Sequence, residues 1–128
     1  MSSITKKQAK QILIVDDVAD NLFLAQFILE NQGYKVITAE NGKAALAQIE
    51  TTSIKPDLII LDLMMPEMNG YEIIDYLRNH QSLSSIPIIL MTANSNVSRQ
   101  EAKNAGANGI VYKPFNLEQF IRKVKLVS

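Results

Sequence analysis

The chain has no cysteine, so neither a disulfide framework nor a thiolate zinc site can hold it together. It has no excess of either charge: 13 Lys and Arg stand against 13 Asp and Glu. That balance makes neither nucleic acid nor an anionic membrane surface an expected main partner. No apolar run approaches the length of a transmembrane helix and no signal peptide opens the sequence. A cytoplasmic domain is the expectation. Repeats, linkers and low-complexity segments are absent as well, and 128 residues suffice for one domain with a full core.

What is present is a set of apolar runs that each end in polar residues of a particular kind. Leu58, Ile59, Ile60 and Leu61 are continuous and apolar, the pattern of a strand buried on both faces, and they end in Asp62. Ile12 to Val15 ends in Asp16-Asp17, Ile86 to Met91 in Thr92-Ala93, and Gly109 to Tyr112 in Lys113-Pro114-Phe115. In an open parallel sheet the carboxyl ends of the strands share one edge, where the ligand crevice lies. Three Asp, one Thr and one Lys then converge there. A lone carboxylate among apolar residues is costly unless compensated, so Asp62 needs more than the bland role of capping the next turn.

Between these runs the periodicity is helical. A helix capped by Asp20 or a neighbour is predicted to reach Gln32, with Leu24, Phe27 and Ile28 inward and Gly33 as its stop. Lys35 to Ala39 is a short β-branched strand. Asn41-Gly42 enters a second helix through Ala45, Leu46 and Ile49. Gly70 starts a third, with Ile73, Ile74 and Leu77 inward, running to about Asn79. The segment from Ser95 or Asn96 to Ala105 is helical by propensity, but its apolar contacts are only Val97, Ala102 and Ala105, so it is weakly anchored. Asn116 caps the last helix, whose inner stripe is Leu117, Phe120, Ile121 and Val124, with Gln119 placed for a capping box. Strand then helix, five times, with right-handed crossovers, gives an α/β domain over residues 12–126: a doubly wound parallel sheet behind a polar tail, residues 1–11.

Asp16-Asp17, Asp62 followed by Met65-Pro66 and Gly70, Thr92-Ala93 and Lys113-Pro114-Phe115 together resemble the receiver domain of bacterial response regulators, the CheY-like family. Each motif alone is weak; all four in order at strand ends are specific. The resemblance implies a flavodoxin-like strand order 2-1-3-4-5 and a phosphoacceptor Asp62, a carboxylate nucleophile that forms an acyl phosphate. Three crowded carboxylates repel, and a hard divalent cation with oxygen ligands and retained waters, Mg²⁺, relieves them. By resemblance Asp17, Asp62 and the carbonyl of Met64 bind it directly, and Asp16 acts largely through water. Lys113 offers a charge and Thr92 a hydroxyl to the phosphoryl group, and Lys113–Pro114 is a cis peptide.

The same resemblance names Thr92 and position 110 as the switch, but Ile110 stands where many relatives have an aromatic ring. Tyr112 lies on the same side and cannot simply stand in. Met64 and Asn94 flank the path of attacking water, and Met64 offers it no hydrogen bond, which implies a durable phosphoryl group. The implied partners are a histidine kinase or histidine phosphotransfer protein and a downstream protein that reads the face made by the helix ending at Ala105, the last strand and the last helix. Direct contact with nucleic acid or membrane is not expected. A phosphatase with an aspartyl-phosphate intermediate would carry a second Asp at position 64, where Met64 stands, and a flavin module would need a phosphate-cradling loop where Asp16 and Asp17 repel phosphate. The single His80 reads as solvated, and Met64, Met65 and Met68 as core filling. Met1 and the short tail suggest a single-domain regulator.

Overall fold

Alternation along the strands sorts the core into two layers. The structure, a computed structural model, describes residues 9–128. Its elements are β1 Gln11–Val15, α1 Ala19–Asn31, β2 Lys35–Ala39, α2 Gly42–Thr51, β3 Leu58–Asp62, α3 Gly70–Arg78, β4 Ile88–Thr92, α4 Arg99–Ala105, β5 Gly109–Tyr112 and α5 Leu117–Val127. All pairings are parallel and the sheet runs β2-β1-β3-β4-β5. Leu13, Val15, Ile59, Leu61, Ile88, Leu90 and Ile110 face the side that packs α2, α3 and α4. Ile12, Ile14, Leu58, Ile60, Ile89, Met91 and Val111 face α1 and α5. Every residue of β3 and β4 is buried, which is why their sequences read as unbroken apolar runs rather than alternation.

The caps follow local chemistry. Asn41 accepts from the amide of Ala44 at the start of α2, Asn69 and Glu72 form a reciprocal capping box on α3, and Ser98 and Asn116 cap α4 and α5. Gly33 ends α1 at φ +92, a conformation open to glycine. Pro87 lies just before β4 and still serves the sheet through its carbonyl, which accepts from the amide of Ile59 at 3.0 Å.

Several expectations need correction. The inner face of α1 is Leu22, Ala25, Ile28 and Leu29, while Leu24 and Phe27 are exposed. Apolar residues occur on all sides of this helix, so spacing alone did not single out the stripe facing the sheet. Its N-cap is Val18, with no side-chain cap, and Asp20 sits in the first turn. The fourth helix starts at Arg99, not near Ser95, because Asn94 to Ser98 turn on themselves: the Asn94 side chain accepts from Asn96 and its carbonyl from Val97. At α5 Asn116 caps as expected, but Gln119 contributes only its amide, and Leu117 is exposed because it lies in the first turn, off the buried line of Phe120 and Val124. Gln11 belongs to β1, paired with Lys35, so the tail ends before it; its residues 1–8 lie outside the described residues. Met65 and Met68 pack on the core, whereas Met64 is exposed. Among the described residues no helix is long and apolar enough to cross a membrane.

Candidate functional site

At the carboxyl edge of the sheet, β1, β3 and β5 deliver Asp16, Asp62 and Lys113 to one spot. The Lys113 Nζ donates to Asp16 Oδ2 at 2.9 Å and to Asp62 Oδ2 at 3.1 Å, and among the described residues these are the only ion pairs. The Lys113–Pro114 peptide is cis. Lys113 is also fixed from behind, its amide donating to the Thr92 carbonyl at 2.8 Å. The other carboxylate oxygens hold the loops: Asp16 Oδ1 accepts from Val18 and Asp62 Oδ1 from Met64. Asp16 is fully buried, Asp62 nearly so, and Asp17 beside them is exposed.

The loop after β3 is shaped by close approach. A Cβ at Gly70 would lie 3.0 Å from the Asp62 carbonyl oxygen and from Leu63 Cα, so only glycine lets α3 start against the end of β3. Glu67 in that loop has φ 69, a left-handed conformation costing about 1–2 kcal/mol in a non-glycine residue.

Burial pushes the Asp62 carboxyl up from its ordinary range; the Lys113 hydrogen bond opposes this and the nearby Asp16 charge adds to it. Burial works against the Lys113 charge, but its hydrogen bonds and attraction to Asp16 and Asp62 outweigh burial and raise it. One ammonium against three carboxylates leaves a charge of −2 in the ionised pocket. Asp16, Asp17 and Asp62 each offer an oxygen, all within 4.8 Å of one another. Ligand oxygens around a hard cation with bonds of about 2.1 Å stand about 3–4 Å apart, so this oxygen-only set fits Mg²⁺ with a small closure or bridging waters. The donor set and its charge fit a divalent ion.

Thr92 is fully buried at the end of β4, one residue past the Met91 that pairs with Asp62. Its hydroxyl accepts from the Asn94 amide at 3.0 Å. Ile110 is buried in the core and Tyr112 lies on the same side, as alternation requires, with its hydroxyl donating to the Val97 carbonyl at 2.6 Å. That tether between β5 and the loop before α4 was missed in the sequence, since nothing marks which carbonyl a tyrosine finds. Also missed were the exposed Phe23, Leu24 and Phe27, a set of apolar side chains on the helix that begins beside the pocket. His80 is exposed, two residues past the end of α3, and stacks on Tyr76 at 4.1 Å.

Comparison with known proteins points the same way. The family model for the response regulator receiver domain matches residues 12–125. The chain is 38% identical over 119 residues to the alkaline phosphatase synthesis transcriptional regulatory protein PhoP of Bacillus subtilis, covering 92% of this chain and 48% of that protein. It is 32% identical over 117 residues to the polar-differentiation response regulator DivK of Brucella anthropi, covering 91% and 94%. It thus spans about half the length of PhoP and nearly all of DivK. Among solved structures it resembles the response regulator TrrA of Thermotoga maritima in complex with Mg²⁺-BeF, with a TM-score of 0.81 and 36% identity over 93% of this chain and 99% of that one. The chemotaxis protein CheY4 of Vibrio cholerae gives a TM-score of 0.84 and 33% identity over 94% and 99%. An acidic pocket bridged by a strand-end lysine, on a sheet of this order and under a match of this extent, identifies the chain as a member of the response regulator receiver domain family of two-component systems.

Proposed function

We propose that Asp62 is the phosphoacceptor of this receiver, taking a phosphoryl group from a histidine kinase or histidine phosphotransfer protein. The observation that carries this reading is the Lys113 ammonium held between the Asp16 and Asp62 carboxylates over a pocket with room for a divalent ion. A carboxylate oxygen of Asp62 attacks phosphorus, the bond from phosphorus to the donor nitrogen breaks, and an aspartyl phosphate remains. Mg²⁺, when held by Asp17, Asp62 and the Met64 carbonyl with Asp16 behind, supplies charge neutralisation at phosphorus. Lys113 gives its ammonium to a phosphoryl oxygen, released from a partner carboxylate already 3.1 Å away. Thr92 can give its hydroxyl proton, which is not committed, because that oxygen acts as acceptor from Asn94.

The donor has to reach Asp62 from the open side of the pocket, where Val18 and Met64 are exposed beside Asp17 and where α1 carries Phe23, Leu24 and Phe27 outward. These side chains fit a helical apolar surface on the donor. The signal leaves by another route. Thr92 is bonded to Asn94, Asn94 to Asn96, and Val97 to Tyr112, so a pull on Thr92 reaches the entry to α4 and the outer side of β5 through hydrogen bonds. With Ile110 stiff and ringless, this relay and a shift of α4 replace a swinging aromatic switch. The face of α4, β5 and α5 is then the output surface.

Incubation with acetyl phosphate and Mg²⁺, followed by intact mass, tests the reading. One phosphoryl group on the wild type, none on Asp62→Asn, and none with the metal chelated is the expected result. Label that persists in either control overturns it. Asp17→Ala should abolish Mg²⁺ binding and leave the apo protein folded. Label lifetime gives a separate check: Met64→Asn places an amide where an exposed thioether offers no hydrogen bond, and decay should quicken several-fold. Unchanged or slower decay would remove the water-orienting role of position 64.

A further inference from the structure

The phosphoacceptor reading leaves the opposite edge of the sheet unused, and one side chain there is out of place. Gln11 opens β1, and alternation puts it on the same side as Leu13 and Val15, the side that packs α2. Its backbone is bonded at both groups: the amide donates to Asp57 Oδ2 at 2.7 Å and the carbonyl accepts from the Asp57 amide at 2.8 Å. Its side chain is not. Among the described residues, Gln11 Oε1 is the only buried side-chain nitrogen or oxygen without a hydrogen-bond partner. A buried acceptor in that state has lost its water and gained no bond.

The same residue lines a hollow of about 170 Å³ between β1, β2 and the C-terminal end of α2. Leu13, Ile37, Ile49, Ile54 and Pro56 give it an apolar lining, and Ile54 is 70% exposed. The other polar side chains around it are occupied within the chain. Gln48 Nε2 donates to the Thr38 carbonyl at 3.2 Å, Thr51 Oγ1 to the Ala47 carbonyl at 2.8 Å and Thr52 Oγ1 to the Ile54 carbonyl at 3.0 Å. A dry apolar cavity of about 150 Å³ is enough to hold a benzene ring. One six-membered ring therefore fits here, and a nucleotide does not.

We infer that this hollow binds a small phenol: a single aromatic ring that fills the apolar space and carries one hydroxyl, which donates to Gln11 Oε1. A purely apolar ring leaves that acceptor without a bond, and a charged molecule meets an apolar lining with no counter-charge. A tyrosine side chain of a partner protein offers the same ring, but its peptide backbone has to lie across a rim whose hydroxyls and side-chain amide are already bonded. A free phenol brings no such groups. The inference stands apart from the phosphoacceptor reading. Gln11 precedes Asp16 by five residues, about 16 Å of strand, so the hollow and the acidic pocket lie at opposite ends of β1.

The test titrates phenol and toluene into the ¹⁵N-labelled full chain. The two rings are nearly equal in size, and only phenol has a donor. Both should shift the amides of Gln11 to Leu13, Ile37 and Ile49 to Ile54 and leave those beside Asp62 unmoved. Gln11→Leu removes the acceptor and keeps that face of β1 apolar; it should weaken phenol about tenfold and toluene not at all. Gln11→Met, which keeps the length of the side chain, should do the same. Ile37→Phe fills the hollow and should abolish binding of both. Shifts confined to other faces, or none up to the solubility of phenol, would overturn the inference. So would a preference between phenol and toluene that is unchanged in both Gln11 variants, since the acceptor then plays no part. A tyrosine-containing peptide that binds the hollow more tightly than free phenol replaces the small molecule with a partner protein. Concentration-dependent shifts of the same amides without ligand replace it with a second copy of the chain. Either result overturns the assignment of a free phenol.

Discussion

α3 and α4 follow one another on the same side of the sheet, yet they are held in unlike ways. α3 buries Ile73, Ile74 and Leu77 completely, carries a reciprocal capping box, and is joined to α2 by a hydrogen bond from Tyr76 to Glu50. α4 has seven residues and a single buried side chain, Ala102. Burying an Ile or Leu contributes about 1.5–3 kcal/mol, and an alanine methyl far less, so packing decides the difference while capping does not. Both helices have side-chain caps. The free energy needed to displace α4 is a small part of that for α3.

The two helices are also joined at their C-terminal ends. Arg78, the last residue of α3, donates from Nε and Nη2 to the Gly106 carbonyl at 3.0 and 2.8 Å, and from Nη2 to Asn108 at 3.0 Å. Its remaining bonds go to the carbonyls of Ser84 and Ile86. Burial pushes its guanidinium down from the ordinary value, with no carboxylate to compensate. The C-terminal end of α4 is thereby pinned. Its N-terminal end is held by the turns from Asn94 to Val97, the Tyr112 bond to the Val97 carbonyl and the Tyr71 bond to Glu101. If Thr92 acts as proposed above, a helix pinned at its C-terminal end and bonded toward Thr92 through Asn94 is expected to pivot.

The largest expected effect is on global stability. Ile74→Ala should cost about 2–5 kcal/mol, the range for a buried large-to-small change. Ala102→Gly should cost about 1 kcal/mol or less, mostly from helix propensity. Urea unfolding of both variants measures this directly. Equal costs would mean that α4 is as firmly part of the core as α3.

Next comes the pin. Gly106 has φ +109, and a Cβ there would sit 2.9 Å from Ile74 Cγ2. Gly106→Ala should therefore cost about 1–2 kcal/mol from the left-handed backbone and more from the clash. Hydrogen exchange should quicken in Arg99 to Ala105 beyond the global change, with α3 following only the global loss. If α3 and α4 loosen together, the pivot is not at Gly106.

The same contrast explains what was legible in the sequence. The central β-strands were, because full burial on both faces leaves an unbroken apolar run such as Leu58 to Leu61. The pocket residues were, because each ends such a run. Amphipathic α3 was, and α1 was not. Leu24 and Phe27 are as apolar as Leu22 and Leu29, and only packing against the sheet tells the two pairs apart. The start of α4 was not, since Asn94 spends its side chain and carbonyl on turns to Asn96 and Val97 that compete with a helix, and the cap falls to Ser98. Which strand-end loop a tyrosine tethers depends on distances that no periodicity encodes, and Tyr112 is the case here.

The smallest expected effect concerns a side-chain link between the helices themselves. Tyr71 of α3 donates its hydroxyl to Glu101 of α4 at 2.8 Å. Burial and the Glu101 carboxylate both resist a phenolate, and the phenol is pushed up to about 12. The sign follows from that direction. The neutral phenol is favoured in the folded protein, so the contribution is fully present below the ordinary tyrosine value near 10 and is lost as pH rises through about 12. Glu101 is exposed and Tyr71 only partly buried, so solvent screens the bond and its effect on global stability is at most a few tenths of a kcal/mol. Its effect on α4 is proportionally greater, because so little else holds that helix to α3. Tyr71→Phe should leave the unfolding midpoint almost unchanged at neutral pH while amide exchange in Arg99 to Ala105 quickens about two- to threefold, the equivalent of those few tenths. The wild type should approach the variant's exchange pattern, after correction for intrinsic rates, as Tyr71 ionises. If α4 exchange in the two proteins is the same at neutral pH, the link does not restrain the helix, and the Arg78 pin alone sets how α4 moves.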